Sequence, residues 1–460
     1  MWLLSLTNQT MKLKRNILMF LCSCLIGTAT AADRSKHVIL ITIDGMRTEM
    51  VTDSTMPSPN LKRMKRDGLF VERIKGITPT ATYPSHITIV TGVEPVQHRI
   101  YYNSPFTENK PGNVSYWYAD SIKATTIWDS ANQNGLIVAS LFWPVSVGAK
   151  SIHYNVPEYW SVKPVANQLE YIKPYCTPKG FLDELEREAT GKLNHKNFSA
   201  GSMDRDARTA AMANYIMNTY KPNLMTIHLI TTDYAQHATG LRSDRVSATV
   251  GSADHAVGLI LENLERNKLL YNTTVIVCGD HGFVNYSKSI VPNVWLVQEG
   301  LLSEKPGGEW KACFHGAGAM MFLYLKDKND QTTLNKIRKK LTSLPDTTQA
   351  LFRIVEKEEL GKVGCDPEVA FALEPVKGVA VATARTGADV IEKFGGKHGY
   401  LSGIDPTTLV AFGCGIEKKE LPVMKQTDIA PFIMKLLGID FMGHRTKRIL
   451  RIERKEYQTY

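Results

Sequence analysis

The chain has 460 residues, of which 43% are hydrophobic and 22% charged, with a formal net charge of +10. That balance excludes a disordered chain and a membrane bundle, and the length suffices for one large α/β domain with a smaller insertion. Its lysines and arginines are dispersed rather than clustered, which argues against a nucleic-acid groove and against an obligate nucleic-acid partner.

At the amino end, Lys12, Lys14 and Arg15 precede the apolar run 17–26 and the small residues Thr28 to Ala32. This order is that of a secretory signal, and cleavage after Ala31 satisfies the small-x-small rule through Ala29 and Ala31. Residues 1–31 are therefore expected to direct export to a periplasmic or extracellular location, with Met11 opening the more typical signal. An uncleaved anchor and a lipid on Cys24 are the alternative readings. The apolar run is shorter than the roughly 20 residues that span a bilayer, and no later segment is expected to be transmembrane. Loss of the three basic residues lowers the net charge from +10 to +7. It leaves Cys176, Cys278, Cys313, Cys365 and Cys414, an odd set that cannot pair completely within one chain. Cys278 and Cys414 fall in apolar runs and are expected as buried thiols.

The first element of the mature chain is His37-Val-Ile-Leu-Ile-Thr-Ile, a nearly unbroken apolar run that ends on Asp44-Gly45. Such a run predicts a central strand covered on both faces. Similar strands are predicted at 136–142, 223–230, 273–278 and 408–413, with helices at 205–219 and 252–268 between them. The alternation predicts an α/β fold: a doubly wound, mostly parallel sheet with helices on both faces and ligands at the carboxyl ends of its strands. Between 285 and 390 the pattern changes to a strand at 318–325, a basic amphipathic helix at 333–344 and short strands near 351–356 and 368–373. This predicts a smaller inserted α+β lobe at 285–390, with residues 32–284 and 391–460 forming the catalytic core. Internal repeats and low-complexity tracts are absent from the sequence.

Residues suited to metal chemistry stand where these strands end. Asp44 follows the first, and Asp280-His281-Gly282 follows the strand at 273–278. Asp233 and His237 are spaced i and i+4, which puts both on one face of a helical turn, and His398 lies in the glycine-flanked loop Gly395 to Tyr400. Aspartate and histidine suit zinc. Thr82, in Pro79-Thr-Ala-Thr-Tyr-Pro-Ser-His86, precedes the helix-like stretch 87–91, so it sits at a helix N-terminus. There it serves as an N-cap, as a nucleophile beside helix amides that favour an oxyanion, or as both. In this order the seven side chains predict a two-metal hydrolytic site acting at phosphorus.

The same motifs resemble the alkaline phosphatase superfamily and, within it, the nucleotide pyrophosphatase/phosphodiesterase branch. The resemblance covers roughly 37–440, through Ile41-Thr-Ile-Asp44-Gly45, the Thr82 motif with Val90-Thr91-Gly92, Phe142-Trp143-Pro144, Asp233 with His237, Gly279-Asp280-His281-Gly282, His398-Gly399-Tyr400, Asp428-Ile-Ala-Pro431 and Leu436-Leu-Gly438-Ile439. It implies an alkaline-phosphatase-like fold and two Zn2+, one held by Asp233, His237 and His398, the other by Asp44, Asp280 and His281 with Thr82 as nucleophile and ligand. It further implies that a phospho-threonine forms and is then hydrolysed by water, and that the substrate is a small-molecule phosphodiester or a nucleotide. Asn103 falls where the branch has an asparagine on a phosphoryl oxygen, although a simple turn residue is the other reading. Together with the Tyr83 amide it would stabilise charge on that oxygen, and Tyr83 matches the aromatic that stacks on a nucleobase.

Thr82-Tyr-Pro-Ser-His86 lacks the modified Cys or Ser and the arginine of sulfatases, and only Arg99 lies near Thr82 and Asn103 in sequence as a monoesterase-type phosphate clamp. The chain departs from the animal enzymes at Thr231-Thr232, Gly279 and Phe283, and it is expected to lack their cysteine-rich amino-terminal modules. A phosphonate or phosphomonoester hydrolase on the same metals is the alternative activity, and a zinc-binding protein without turnover is the reading from another class.

Overall fold

In the segment His37–Ile43 all seven side chains are buried, and their alternation sends them to two different cores. Ile39, Ile41 and Ile43 enter one apolar cluster, while Val38 and Leu40 enter the other. A strand can do this only in the middle of a sheet whose two faces are both covered. Each such isoleucine or leucine contributes roughly 1.5 to 3 kcal/mol by leaving water.

The computed structural model describes residues 35–108, 115–160, 167–401 and 403–441. The signal pattern at 1–31 and the chain beyond 441 lie outside these residues. In chain order the strands are β1 (His37–Ile43), β2 (Leu69–Lys75), β3 (Val138–Leu141), β4 (Tyr154–Val156), β5 (Leu224–Leu229), β6 (Thr273–Cys278), β7 (Val284–Ile290), β8 (Ala312–Ala317), β9 (Met320–Leu325), β10 (Phe352–Glu356), β11 (Phe371–Pro375), β12 (Val379–Val381), β13 (Val390–Lys397), β14 (Thr407–Gly413) and β15 (Lys419–Lys425). Eight of them build the main sheet in the order β15-β2-β14-β6-β1-β5-β3-β4. From β6 to β4 every neighbour is parallel, β14 runs antiparallel to both β6 and β2, and β15 is parallel to β2.

Helices cover both faces. On one face the helices Arg205–Tyr220 and Asp244–Arg266 bring Met212, Ile216, Val257 and Ile260 onto β1, β5 and β6. On the other, Thr82–Thr91, Ile127–Gln133 and Ile429–Leu436 supply Ile87, Trp128 and Ile433. The fold is thus the expected doubly wound, mostly parallel α/β sheet.

A four-stranded antiparallel sheet, β10-β11-β9-β8, has its own core around Trp295, Phe314, Leu323, Ile337 and Phe371, covered by the helix Gln331–Thr342. A third sheet, β12-β7-β13, joins it to the main sheet in sequence. Its register pairs Lys397 with Val284, so the residue after β13 is set beside the residues just before β7. That pairing positions His398 against His281.

Several elements begin or end elsewhere than the sequence predicts, each for a local reason. The helix expected at 252–268 starts at Asp244, because the Ser243 hydroxyl caps it by accepting from the Val246 amide. The helix expected from 333 starts at Gln331, capped by Asp330. The strand expected from 318 begins at Met320, since Gly318 turns at φ +65° between β8 and β9. Edge strand β15, with mostly exposed side chains, carries no apolar run to announce it. Cys176, Cys278, Cys313 and Cys365 are buried thiols, whereas Cys414 lies just past the end of β14 and is only half-buried, against expectation.

Candidate active site

Three adjacent parallel strands deliver the candidate metal ligands. β1 ends into Asp44, β6 into Gly279-Asp280-His281, and β5 into the helix Thr231–Thr239, which carries Asp233 and His237. The registers Thr42 with Cys278 and Ile43 with Leu229 level these three ends on one rim. His398 arrives from β13, its ring stacked on His281 at 3.6 Å between centroids and 6° between planes.

The distances are short. His281 Nε2 lies 3.3 Å from Asp44 Oδ1 and 3.3 Å from Asp280 Oδ2. Asp233 Oδ1 lies 3.4 Å from His237 Nε2 and 3.7 Å from His398 Nε2. Among the described residues, two groups can each gather their donor atoms within 4.8 Å: Asp233, His237 and His398, and Asp44, Asp233 and His281. Asp233 therefore belongs to both, and Asp280 approaches the second group from its buried side. The site opens at one end, for the His237 side chain is 34% exposed while those of His281 and Asp280 are 0%.

Each of the three imidazoles commits Nδ1 to a backbone carbonyl: His237 to Gly396 at 3.1 Å, His281 to Gly282 at 3.1 Å and His398 to Thr80 at 2.8 Å. A carbonyl only accepts, so Nδ1 carries the proton and Nε2 presents a lone pair to the carboxylates. Asp44 Oδ1, Asp233 Oδ1 and Asp280 Oδ2 are buried and accept no hydrogen bond among the described residues. Lone pairs facing one another at these distances repel unless a cation lies between them. Burial, the largest cause, pushes the Asp44 and Asp280 carboxyls well above the ordinary carboxylate range, and the neighbouring acids push them further. Burial likewise lowers His281 to about 3 and His398 well below its usual value, which keeps both in the neutral, ligating form. The donor set fits divalent cations of the zinc type.

Thr82 is the first residue of the helix Thr82–Thr91, and Ala81 occupies the cap position. The threonine hydroxyl makes no capping bond; its Oγ1 lies instead 3.3 Å from His281 Nε2, pointing at the metal-ligand cluster. Asn103 is close by, but its Oδ1 accepts the Tyr83 amide at 2.9 Å. The Tyr83 N–H is thus already occupied, which differs from the expectation that it would face a phosphoryl oxygen; Asn103 keeps its Nδ2 donors for that task. The Tyr83 ring is only 5% exposed, edge-on to Trp117, with its hydroxyl on Glu158 at 2.8 Å. Arg99 donates to the Tyr101 hydroxyl at 2.8 Å.

Several supporting residues escaped the sequence reading. Thr80 is a hub, for its hydroxyl accepts the Gly399 and Tyr400 amides at 3.0 Å each and donates to Asp405 Oδ2 at 2.6 Å, while its carbonyl holds His398. The loop needs glycine at 399, where φ is +91° and a Cβ would lie 2.5 Å from the Gly318 Cα. Their one signal in the sequence is polar residues in otherwise apolar or glycine-rich surroundings, which names no partner.

Asp405 yields a pH prediction. It is 3% exposed, its Oδ1 accepts nothing among the described residues, and burial pushes its carboxyl up to about 7. Since an unfolded aspartate titrates near ~4, the native state holds a proton that the unfolded chain has released. The stability this proton confers is complete below about pH 4 and is lost as pH rises toward 7, by at most roughly 1.4 kcal/mol per unit. Asp405→Asn keeps an acceptor for Thr80 and mimics the protonated acid. In chelator-treated protein its urea midpoint is expected to match the wild type near pH 4 and to exceed it at pH 8; a difference that does not change with pH would show that Asp405 is ionised in the native state.

The family model described as Type I phosphodiesterase / nucleotide pyrophosphatase matches residues 38–401. Ectonucleotide pyrophosphatase/phosphodiesterase family member 3 of Rattus norvegicus is 27% identical over 256 residues, 53% of this chain and 24% of that protein. Venom phosphodiesterase 2 of Crotalus adamanteus is 22% identical over 261 residues, 54% of this chain and 27% of that protein. This chain therefore matches about a quarter of the length of these curated relatives. Among solved structures, murine ectonucleotide pyrophosphatase / phosphodiesterase 5 superposes with a TM-score of 0.62 at 19% identity, covering 88% of this chain and 95% of that one. An inactive form of the murine protein in complex with AMP superposes equally well, with a TM-score of 0.62. The likeness extends the fold description to an alkaline-phosphatase-like architecture.

Proposed function

This chain belongs to the type I phosphodiesterase / nucleotide pyrophosphatase family, and we propose that it is an exported two-zinc hydrolase that cleaves phosphodiester or phosphoanhydride bonds through a phospho-threonine intermediate. The observation that carries the reading is the position of the Thr82 hydroxyl against His281, beside a cluster of orphaned carboxylate oxygens and Nε2 lone pairs. Asp233, His237 and His398 would hold one Zn2+, and Asp44, Asp280 and His281 the other, with Thr82 beside it. Bound as a pair, such cations acidify a hydroxyl and offset the charge that builds on the attacking and departing oxygens.

The residues of the chain account for the rest of the chemistry. Thr82 Oγ1 attacks phosphorus and surrenders its proton, the Oγ–P bond forms, and the bond from phosphorus to the leaving oxygen breaks. Water then attacks the phospho-threonine, the Oγ–P bond breaks, and the hydroxyl regains a proton. At the N-terminus of the helix Thr82–Thr91 the Tyr83 amide is taken by Asn103, Pro84 has no N–H and the Ser85 amide bonds the Ala81 carbonyl, so the helix contributes through its dipole and the Thr82 amide. Asn103 Nδ2 donates to a non-bridging oxygen, oriented by its bond to the Tyr83 amide. A preference for a diester over a monoester rests on the sequence, where Arg99 alone lies near Thr82 and Asn103 as a clamp on two free phosphoryl oxygens.

The names of the relatives, ectonucleotide pyrophosphatases and venom phosphodiesterases, support nucleotide-like substrates and export. The complex of the murine structure with AMP supports a nucleotide-like substrate. Among the described residues no helix is long and apolar enough to cross a membrane. We also read 285–390 as a lobe inserted into a core of 32–284 and 391–460; its separate four-stranded sheet and core support that division. Assay of the zinc-supplemented protein on bis-p-nitrophenyl phosphate, p-nitrophenyl phosphate and ATP tests the activity. The kcat/KM for the diester is expected to exceed that for the monoester by at least about tenfold, a gap of roughly 1.4 kcal/mol in transition-state binding. The reverse order would establish the monoesterase reading, and no turnover of any of the three would end the hydrolase reading.

A further inference from the structure

Behind the metal-ligand cluster lies a chain of buried polar side chains that the proposed reaction does not use. His228, on β5 and 2% exposed, places Nε2 3.1 Å from Asp44 Oδ2. Its Nδ1 bonds the Phe142 carbonyl at 3.3 Å and also stands 3.4 Å from Glu158 Oε2, a close polar contact, since that oxygen accepts no hydrogen bond among the described residues. Glu158, itself 8% exposed, accepts the Tyr83 hydroxyl at 2.8 Å and the Trp160 indole N–H at 3.0 Å, both on Oε1. The ring of His86 packs on His228 at 4.2 Å between centroids and bonds the Thr82 carbonyl at 2.7 Å. Arg205, also buried, lies over Phe142 and Trp160 at 5.3 Å from each ring.

A buried glutamate is costly unless its position is used, and an imidazole in the midst of the apolar strand β5 is equally out of place. What the two do together is geometric. Asp44 has two oxygens: Oδ2 is held by His228, and Oδ1 is left pointing at His281 with no hydrogen bond among the described residues. The His228 ring is held on that side by the Phe142 carbonyl and by its contact with Glu158, and Glu158 cannot rotate without losing both Tyr83 and Trp160. We infer that Glu158 is a positioning residue for Asp44, acting through His228 and anchored by the Tyr83 hydroxyl, so that the residue following Thr82 and the carboxylate at the end of β1 are fixed by one buried chain. Tyr83 then serves the site through its hydroxyl as well as through any contact of its ring.

This inference rests on Asp44 being a zinc ligand, as proposed above, and the test separates the two. Zinc affinity is measured by competition with a chromophoric chelator on the full chain, and the visible spectrum of the cobalt-substituted protein reports ligand geometry. Glu158→Gln keeps an acceptor for Tyr83 and Trp160 but puts an amide donor against His228. It is expected to weaken one of two zinc sites by roughly 10- to 100-fold, the range seen when outer partners of metal ligands are lost, and to shift the cobalt spectrum. Tyr83→Phe, which removes a single oxygen from an otherwise unchanged ring, is expected to weaken the same site by a smaller factor and keeps the test open if Glu158→Gln does not fold. His228→Asn combined with Glu158→Gln is expected to cost no more than His228→Asn alone. Wild-type affinity and spectrum in both Glu158→Gln and Tyr83→Phe, or full additivity in the double variant, would overturn the inference and leave the hydrolase reading standing. A wild-type protein that takes up no zinc would overturn both.

Discussion

Thr82→Ala is expected to remain folded and to bind both metals while losing diester turnover by roughly three orders of magnitude or more. The expectation separates cleanly from stability because of where the residue sits. It is the first helical residue, the cap is Ala81, and no capping bond depends on its hydroxyl. Alanine is the best helix former, so the helix Thr82–Thr91 loses little beyond the contact of Oγ1 with His281. The thermal midpoint is expected to stay within a few degrees of wild type, since a change below about 1 kcal/mol shifts a large domain only slightly. Thr82→Ser, which restores a hydroxyl at the same atom position, is expected to recover part of the activity. Trapping of substrate-derived phosphate on the protein after rapid acid quench checks the intermediate, with label on the wild type and none on Thr82→Ala. Undiminished turnover by Thr82→Ala would remove it as the nucleophile.

How much of this was legible before the structure depends on how local each signal is. β1 announces itself because every residue from His37 to Ile43 is buried, and only a central strand tolerates such a run. Asp233 and His237 were readable as a pair because one helical turn joins them, and the helix Thr231–Thr239 supplies that turn. β13 was not readable: Glu392, Lys393 and Phe394 are exposed, two glycines follow, and no apolar period remains. Yet its register with β7 is what carries His398 to His281. Thr82 was placed at a helix start by Pro84, but whether its hydroxyl caps or points outward is a matter of one residue, which the Ala81 cap decides. Glu158 and His228 were invisible for a stronger reason. Their partners Tyr83 and Asp44 are far away in sequence; a lone imidazole in strand β5 signals burial without saying what it meets, and Glu158, in the loop after β4, gives no signal at all. The bond of the Tyr83 amide to Asn103 is equally silent in the sequence, because it crosses a loop.

The second large effect concerns Asp233, the one carboxylate that both candidate metal groups share. Its Oδ1 is buried without a hydrogen bond, 3.4 Å from His237 and 3.7 Å from His398. Burial, chiefly, raises its carboxyl, and the neighbouring His237 is the largest influence in the opposite direction. Truncation leaves His237 and His398 facing an empty volume, and two neutral imidazoles alone make a poor site for a divalent cation. Asp233→Ala, dialysed against metal-free buffer, is therefore expected to retain at most one of two zinc ions by elemental analysis, with diester turnover reduced by roughly a thousandfold or more. His237→Ala provides the contrast, because that side chain belongs to one group only and is the most exposed of the set. It is expected to lose the same single ion while leaving the Asp44, Asp280 and His281 site loaded. If Asp233 in addition contributes to the second group, as its place in both implies, the affinity of the remaining ion falls further in Asp233→Ala than in His237→Ala. Equal affinities of the remaining ion in the two variants would confine Asp233 to the first site, and full occupancy in Asp233→Ala would contradict its assignment as a ligand altogether.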